Sequence, residues 1–198
     1  MTNLADRPNS PRGDRRREQL VDAGIALLRE EGWPGLTTRA VAQRAGTNPG
    51  VIHYHFGGLP GLHTAIFRRA TDLIISPLVT ELLGAPDERA ALTMLRRMLP
   101  QTTRDEPVTR LAAELIVGAS RDPALGTVLR DELRQARTHI AGRLGQLHPC
   151  WPSARLDGVA ALIAALIDGL MLHYMIDGEL LVGEALSAVE ELLEENRP

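Results

Sequence analysis

The side chains best suited to chemistry lie in one short stretch, His53-Tyr54-His55, with Arg39 and Asn48 shortly before it. Two histidines so close suggest a metal site. On a helix, however, residues two apart point about 200° from each other, so one ion cannot easily take both. An H-x-H chelate needs a strand, and no alternating apolar pattern surrounds this one. Neither a metal nor a cofactor is expected. The single cysteine, Cys150, has no disulfide partner in the chain and fits a reducing cytoplasm. Beside scattered histidines it could be a nucleophile; an incidental thiol before Trp151 and Pro152 is the simpler reading. There is no HExxH, no nucleophile elbow, no phosphate-cradling glycine loop and no metal-spaced cluster. Catalysis is therefore not expected.

Next come the elements that must hold these residues. Aromatics make up only 3% of the 198 residues, while hydrophobic residues reach 44%, a mix that suits packed helices better than sheets. Residues 1–13, with Pro8, Asn9, Ser10, Pro11 and Gly13, read as a mobile tail. From Asp14, Leu20, Ile25, Leu27 and Leu28 follow a helical period with Ala23 and Gly24 between them. Gly32 is placed to end that helix in a left-handed cap, and Pro34-Gly35 turns the chain. Thr37 or Thr38 can cap a short helix whose apolar side is Ala40, Val41, Ala42 and Ala45. Gly46 breaks it. Asn48 or Thr47 can cap a second short helix with Pro49 at its first position, where a missing N–H costs nothing. Ile52 and Phe56, four apart, face inward together. Two short helices across a glycine turn, behind a longer helix, make a helix-turn-helix of the DNA-binding kind.

After Gly57-Gly58, Pro60 can start a long helix carrying Leu62, Ile66, Leu73 and Ile74, which Pro77 should kink or end. Further helices are expected at roughly 86–99, 105–120, 122–147, 154–177 and 181–195, separated by prolines and by Asp177-Gly178. The fold class is all-α. The most apolar run, Val159 to Ile176, is interrupted by Asp168, His173 and Tyr174 and reads as a helix buried on all sides rather than a membrane span. The N-terminal residues lack an apolar core of signal-peptide length, so a cytoplasmic protein without a membrane partner is expected. Charge is uneven along the chain. Residues 1–70 hold ten arginines against six acids, a balance of +4, and residues 71–198 carry −7. A basic front and an acidic back suggest that the N-terminal segment meets a polyanion.

The segment TTRAVAQRAGTNPGVIHYHF resembles the DNA-binding signature of the tetracycline-repressor (TetR) family. It has the Thr-Thr start, the Ala-Gly turn and Gly-x-x-x-Tyr-x-Phe, followed by a long helix opening with Leu62. The likeness covers about residues 14–67. It implies a three-helix DNA-binding domain over 14–58 and a helical ligand-binding and dimerisation domain over 59–198. It also implies a transcriptional regulator, usually a repressor, that binds double-stranded operator DNA as a homodimer. By the same match Thr38 and Arg39 lie where the family often reads bases or binds phosphate. Asn48, Pro49, Gly50 and Val51 open the recognition helix, and His53, Tyr54 and His55 take positions that touch phosphates or base edges. One departure stands out: Gly58-Leu59 replaces the usual Ser-Lys or Asn-Lys, so a phosphate contact is missing. Arg12, Arg15, Arg16 and Arg17 are either a substitute arm along the DNA or a solvated helix start.

In the C-terminal part Arg110, Glu114, Asp168, His173 and Tyr174 are polar groups on apolar helical runs. Such groups must be paired with one another or with a ligand. They are the candidates for contacting a small-molecule effector, which should be hydrophobic or amphipathic. The resemblance implies that the apolar helices 154–177 and 181–195 pair with a second copy, though a monomer's own core would explain their apolar content equally well. The alternative function is a helical adaptor or ligand-binding protein with a degenerate DNA-binding head.

Overall fold

The computed structural model describes residues 11–195. Among them the chain forms α1 (Pro11–Gly35), α2 (Thr38–Arg44), α3 (Gly50–Phe56), α4 (Leu59–Gly84), α5 (Glu88–Arg104), α6 (Glu106–Arg121), α7 (Pro123–Leu147), α8 (Ser153–Ile176) and α9 (Val182–Glu195), with no strand. Most of the expected tail, residues 1–10, lies outside the described residues. Pro11–Gly13, assigned to that tail by their composition, already belong to α1.

Two compact units result, one up to Ala70 and one from Thr71. The boundary falls inside α4 rather than at Gly58, because the first turns of α4 belong to the core of the head. Leu62, Ile66, Phe67 and Ala70 are fully buried there with Leu20, Leu28, Val41 and Ile52. Burial of each large side chain contributes about 1.5–3 kcal/mol. Gly24 lets α4 approach α1: a Cβ at that position would sit 2.2 Å from the Ile66 side chain. Gly61 is tighter still, since a Cβ there would lie 1.9 Å from the Phe56 carbonyl oxygen. Trp33 stacks on Phe67 at 6.1 Å and meets the edge of His63, whose ring bonds the Leu36 carbonyl at 3.1 Å. Gly32 does break α1, but with φ of 68° and ψ of −169° it takes an extended positive-φ conformation open to glycine rather than the left-handed cap expected.

In the second unit the punctuation is set by acids and prolines together. The side chains of Asp87, Asp105 and Asp122 accept backbone N–H bonds at the starts of α5, α6 and α7. Pro107 and Pro123 occupy the first turns of α6 and α7, where no N–H is needed. Two other prolines do not behave as breakers. Helix α4 continues through Pro77 and α5 through Pro100. The donors they remove face Leu73 and Arg96, both exposed, where water can serve the orphaned carbonyl. Leu78, Leu82, Leu95, Leu99, Ile140, Leu144, Ile167 and Leu186 form the core of this unit.

Helix α8 corrects an expectation. Its near-continuous apolar sequence called for burial on all sides, but only Ala160, Ile167 and Met171 are buried in the single chain. Leu162 remains 68% exposed and Ile176 80%, with Leu172 exposed between them. By length and a mean hydropathy of 2.0 alone, α8 could cross a bilayer. Asp168 at its middle opposes that, since a central acid costs about 2.5–3.5 kcal/mol in a membrane.

Candidate functional site

The reading head is built by local capping. Thr37, not Thr38, caps α2: its hydroxyl accepts the Ala40 N–H at 3.1 Å, and Thr38 is the first helical residue. At the other end Gly46 adopts φ of 60°. The Thr47 N–H reaches the Ala42 carbonyl at 2.9 Å, and the Gly46 N–H reaches Gln43 at 3.1 Å, the paired bonds of a left-handed glycine stop. Asn48 then accepts the Gly50 N–H at 2.8 Å, and Pro49 already has helical angles. Gly57, with φ of 70°, closes α3 after two turns.

This capping aims α3. Ile52 is fully buried and fixes the inner side. Asn48, Pro49, Gly50 and His53 are exposed, and Tyr54 is 82% exposed. Val51 is half-buried, as is His55, which meets the edge of Tyr54 at 4.9 Å. Arg39 is exposed on α2, with Thr38 half-buried beside it. Arg44, the other cation of α2, is held by Glu30 through two bonds of 2.5 and 2.6 Å. Hydrogen bonding from Arg44 pulls the Glu30 carboxyl below its usual range. Phe56 departs from its expected core role: it is half-buried, and the Arg17 guanidinium lies 5.0 Å from its ring centre. Arg12, Arg15 and Arg17 are exposed and Arg16 half-buried, all on the first turns of helix α1.

The second unit contains a cavity of about 770 Å³ between the end of α4 and helices α5, α7, α8 and α9. Leu, Ile, Val and Ala side chains make most of its wall. Its polar residues centre on the α7–α8 junction. Trp151 is covered on one face by His148, whose ring is 3.8 Å away and nearly parallel, and on the other by the Arg155 guanidinium at 4.0 Å. His148 also pairs with Glu88 of α5. Arg143 donates to the Ala85 and Pro86 carbonyls at 2.6 and 3.3 Å and to Gln146 at 3.0 Å. Its Nε is buried without a partner.

None of the five polar residues singled out from the sequence lines this cavity. Arg110 is exposed on α6 and pairs with Glu106 at 3.5 Å, and Glu114 is half-buried on the same helix. Tyr174 packs, half-buried, against the core of the unit, while His173 is exposed. Asp168 keeps an accessible face, but its apolar surroundings on α8 push its carboxyl above the usual range, against the pull of Arg137. A polar residue on an apolar run shows that the helix is amphipathic, not which of its faces borders a cavity. Sequence reasoning passed over His148, Trp151 and Arg155. The available signal was one of only two tryptophans, set between a histidine and an arginine in a proline-rich junction.

Comparison with known proteins turns this geometry into an assignment. Residues 20–59 match the model of bacterial regulatory proteins of the tetR family. Residues 86–197, more than half of the chain, match that of the BetI-type transcriptional repressor C-terminal domain. The chain belongs to the TetR family, with a BetI-type C-terminal domain. It is 30% identical over 166 residues to the HTH-type transcriptional regulator BetI of Burkholderia mallei (strain NCTC 10229), covering 83% of this chain and 84% of that one. Among solved structures it is similar to a transcriptional regulator from Streptomyces coelicolor A3(2), with a TM-score of 0.75 and 30% identity over 89% of this chain and 97% of that one. It is also similar to the multidrug binding protein EbrR complexed with proflavin, with a TM-score of 0.67 and 25% identity over 88% and 96% of the two chains. TetR-family proteins are transcriptional regulators rather than enzymes, and act by binding operator DNA and small molecules. The tetR-family match spans most of α1 with α2 and α3, and the BetI-type match spans α5 through α9.

Proposed function

We propose that this regulator binds its operator as a cytoplasmic homodimer and leaves it when a small molecule occupies the α4–α9 cavity. The observation that carries the DNA half is the surface of α3, a helix anchored by fully buried Ile52 that presents Tyr54 almost bare to solvent. Asn48, Pro49, Gly50 and Val51 enter the major groove, where the N-terminal residues of a recognition helix meet base edges. Val51 offers only apolar contact, as to a thymine methyl. His53, Tyr54 and His55 hold phosphates or base edges, and Thr38 and Arg39 approach from α2. Arg12, Arg15 and Arg16 on the first turns of α1 supply cationic charge in place of the missing lysine before α4.

The exposed apolar stripe of α8 supports the dimer. Leu172 and Ile176, one turn apart on one helix, make a patch that water disfavours, and a second copy, paired through the same helices, covers it. The two heads then meet half-sites roughly 34–36 Å apart, and an effector preferring another spacing withdraws them. A mobility-shift assay on the DNA upstream of the protein's own gene tests the reading. A slower-migrating complex, competed by the same fragment and not by unrelated DNA, is expected. Binding indifferent to sequence overturns it.

A further inference from the structure

The cavity also carries information about the charge of its occupant. Among the described residues three acids border it, and each is already engaged. Glu88 is paired with His148. Glu190 is bonded to Arg96 at 2.8 Å. Asp87 accepts the Ala90 N–H at 2.8 Å and faces the positive end of α5. Two of the bordering cations are not matched in this way. Arg143 donates only to neutral oxygens, those of Ala85, Pro86 and Gln146, and its Nε is buried with no partner. Arg155 lies over the Trp151 ring at 4.0 Å and makes no ion pair among the described residues. A guanidinium stacked in this way keeps its edge N–H groups free to donate to a carboxylate.

The same stack argues against a cationic ligand. A cation without hydrogen bonds to give is recognised chiefly by open aromatic faces. Trp151 is the one Trp, Tyr or Phe in the cavity wall, and both of its faces are taken, by His148 and by Arg155. The uncharged remainder of the wall is aliphatic and accepts an alkyl or ring body of drug-like size.

We infer that the cavity takes an amphipathic monoanion, a carboxylate head held by Arg155 beside the charge of Arg143, with an apolar body among the leucines of α5, α7 and α8. This rests on the cavity being the effector site proposed above, but its chemistry can be tested without DNA. Calorimetric titration of the free wild-type protein would use three probes of equal chain length below their micelle concentrations: decanoate, decanol and decyltrimethylammonium. Decanoate should bind most tightly. Arg155→Gln should weaken decanoate by about tenfold, the size of one charge-assisted hydrogen bond, and leave decanol nearly unchanged. Arg155→Lys, which keeps the charge, should recover part of the loss. Preference for the ammonium probe, binding of none of the three, or decanoate affinity indifferent to Arg155→Gln each overturns the inference. A decanoate preference that depends on Arg155 supports it even if the protein shifts no operator DNA, a result that would instead remove the regulatory reading.

Discussion

Tyr54 and Arg39 are both exposed on the reading head, yet they should fail differently when replaced. The phenol hydroxyl of Tyr54 can hold a phosphate, a contact that carries no base information. Tyr54→Phe is expected to weaken all operator variants alike, by about 0.5–1.5 kcal/mol, in a mobility-shift series. Arg39 is a free fork, since Glu30 engages Arg44 instead. If it reads guanine, Arg39→Ala costs about 1–3 kcal/mol at one base pair and relaxes the preference there. Binding unaltered by either change, in a folded protein, removes the head assignment. Asp168 makes a second residue-scale prediction. Its carboxyl is raised by desolvation, so the folded chain holds the proton longer than the unfolded one. Stability from the protonated form is full below the unfolded value of about 3.9 and is lost as pH rises through the higher folded value. Asp168→Asn should therefore raise the melting temperature at neutral pH. That gain should vanish in acid, as thermal melts across a pH series would show.

Helix α2 is short enough for its cap to matter. Thr37→Ala removes the acceptor for the Ala40 N–H and should cost about 1 kcal/mol in denaturant melts. Thr38→Ala, inside the first turn, should cost much less, and equal losses would contradict the cap assignment. The two C-terminal helices separate packing from association in the same spirit. Leu186 on α9 is fully buried, so Leu186→Asp should unfold the chain and says nothing about dimers. Leu172 lies on the exposed side of α8, so Leu172→Asp should leave a folded monomer by sedimentation and circular dichroism. A variant that stays dimeric would show that the stripe is not the interface.

For the whole molecule the testable quantity is coupling between cavity and operator. A ligand that lowers operator affinity must itself be weakened by operator, and by the same factor. Titrating decanoate with and without saturating operator should give that reciprocal shift. An affinity blind to DNA would mean that the cavity ligand is not the effector. On the function proposed above the direction follows from population shift: a ligand that favours a head spacing unlike one turn of DNA withdraws the heads.

The sequence by itself determined the helical class and the reading head, because both depend on neighbours within a few positions. Thr37, Gly46, Asn48 and Gly57 act through caps and left-handed turns that close over three to five residues. The spacing of Leu20, Ile25 and Leu28 likewise marks one face of one helix. What the sequence could not fix was which neighbour covers a face, since periodicity records that a side chain must leave water and not what replaces the water. That is why Pro77 read as a kink or an end and Pro100 as a break, although α4 and α5 run through them beside exposed Leu73 and Arg96. It is also why α8 read as fully buried, although one of its sides is exposed in the single chain. The cavity is the extreme case. Glu88 and His148 are 60 positions apart, and Arg143 reaches back to Ala85, so only tertiary packing brings its charged groups together.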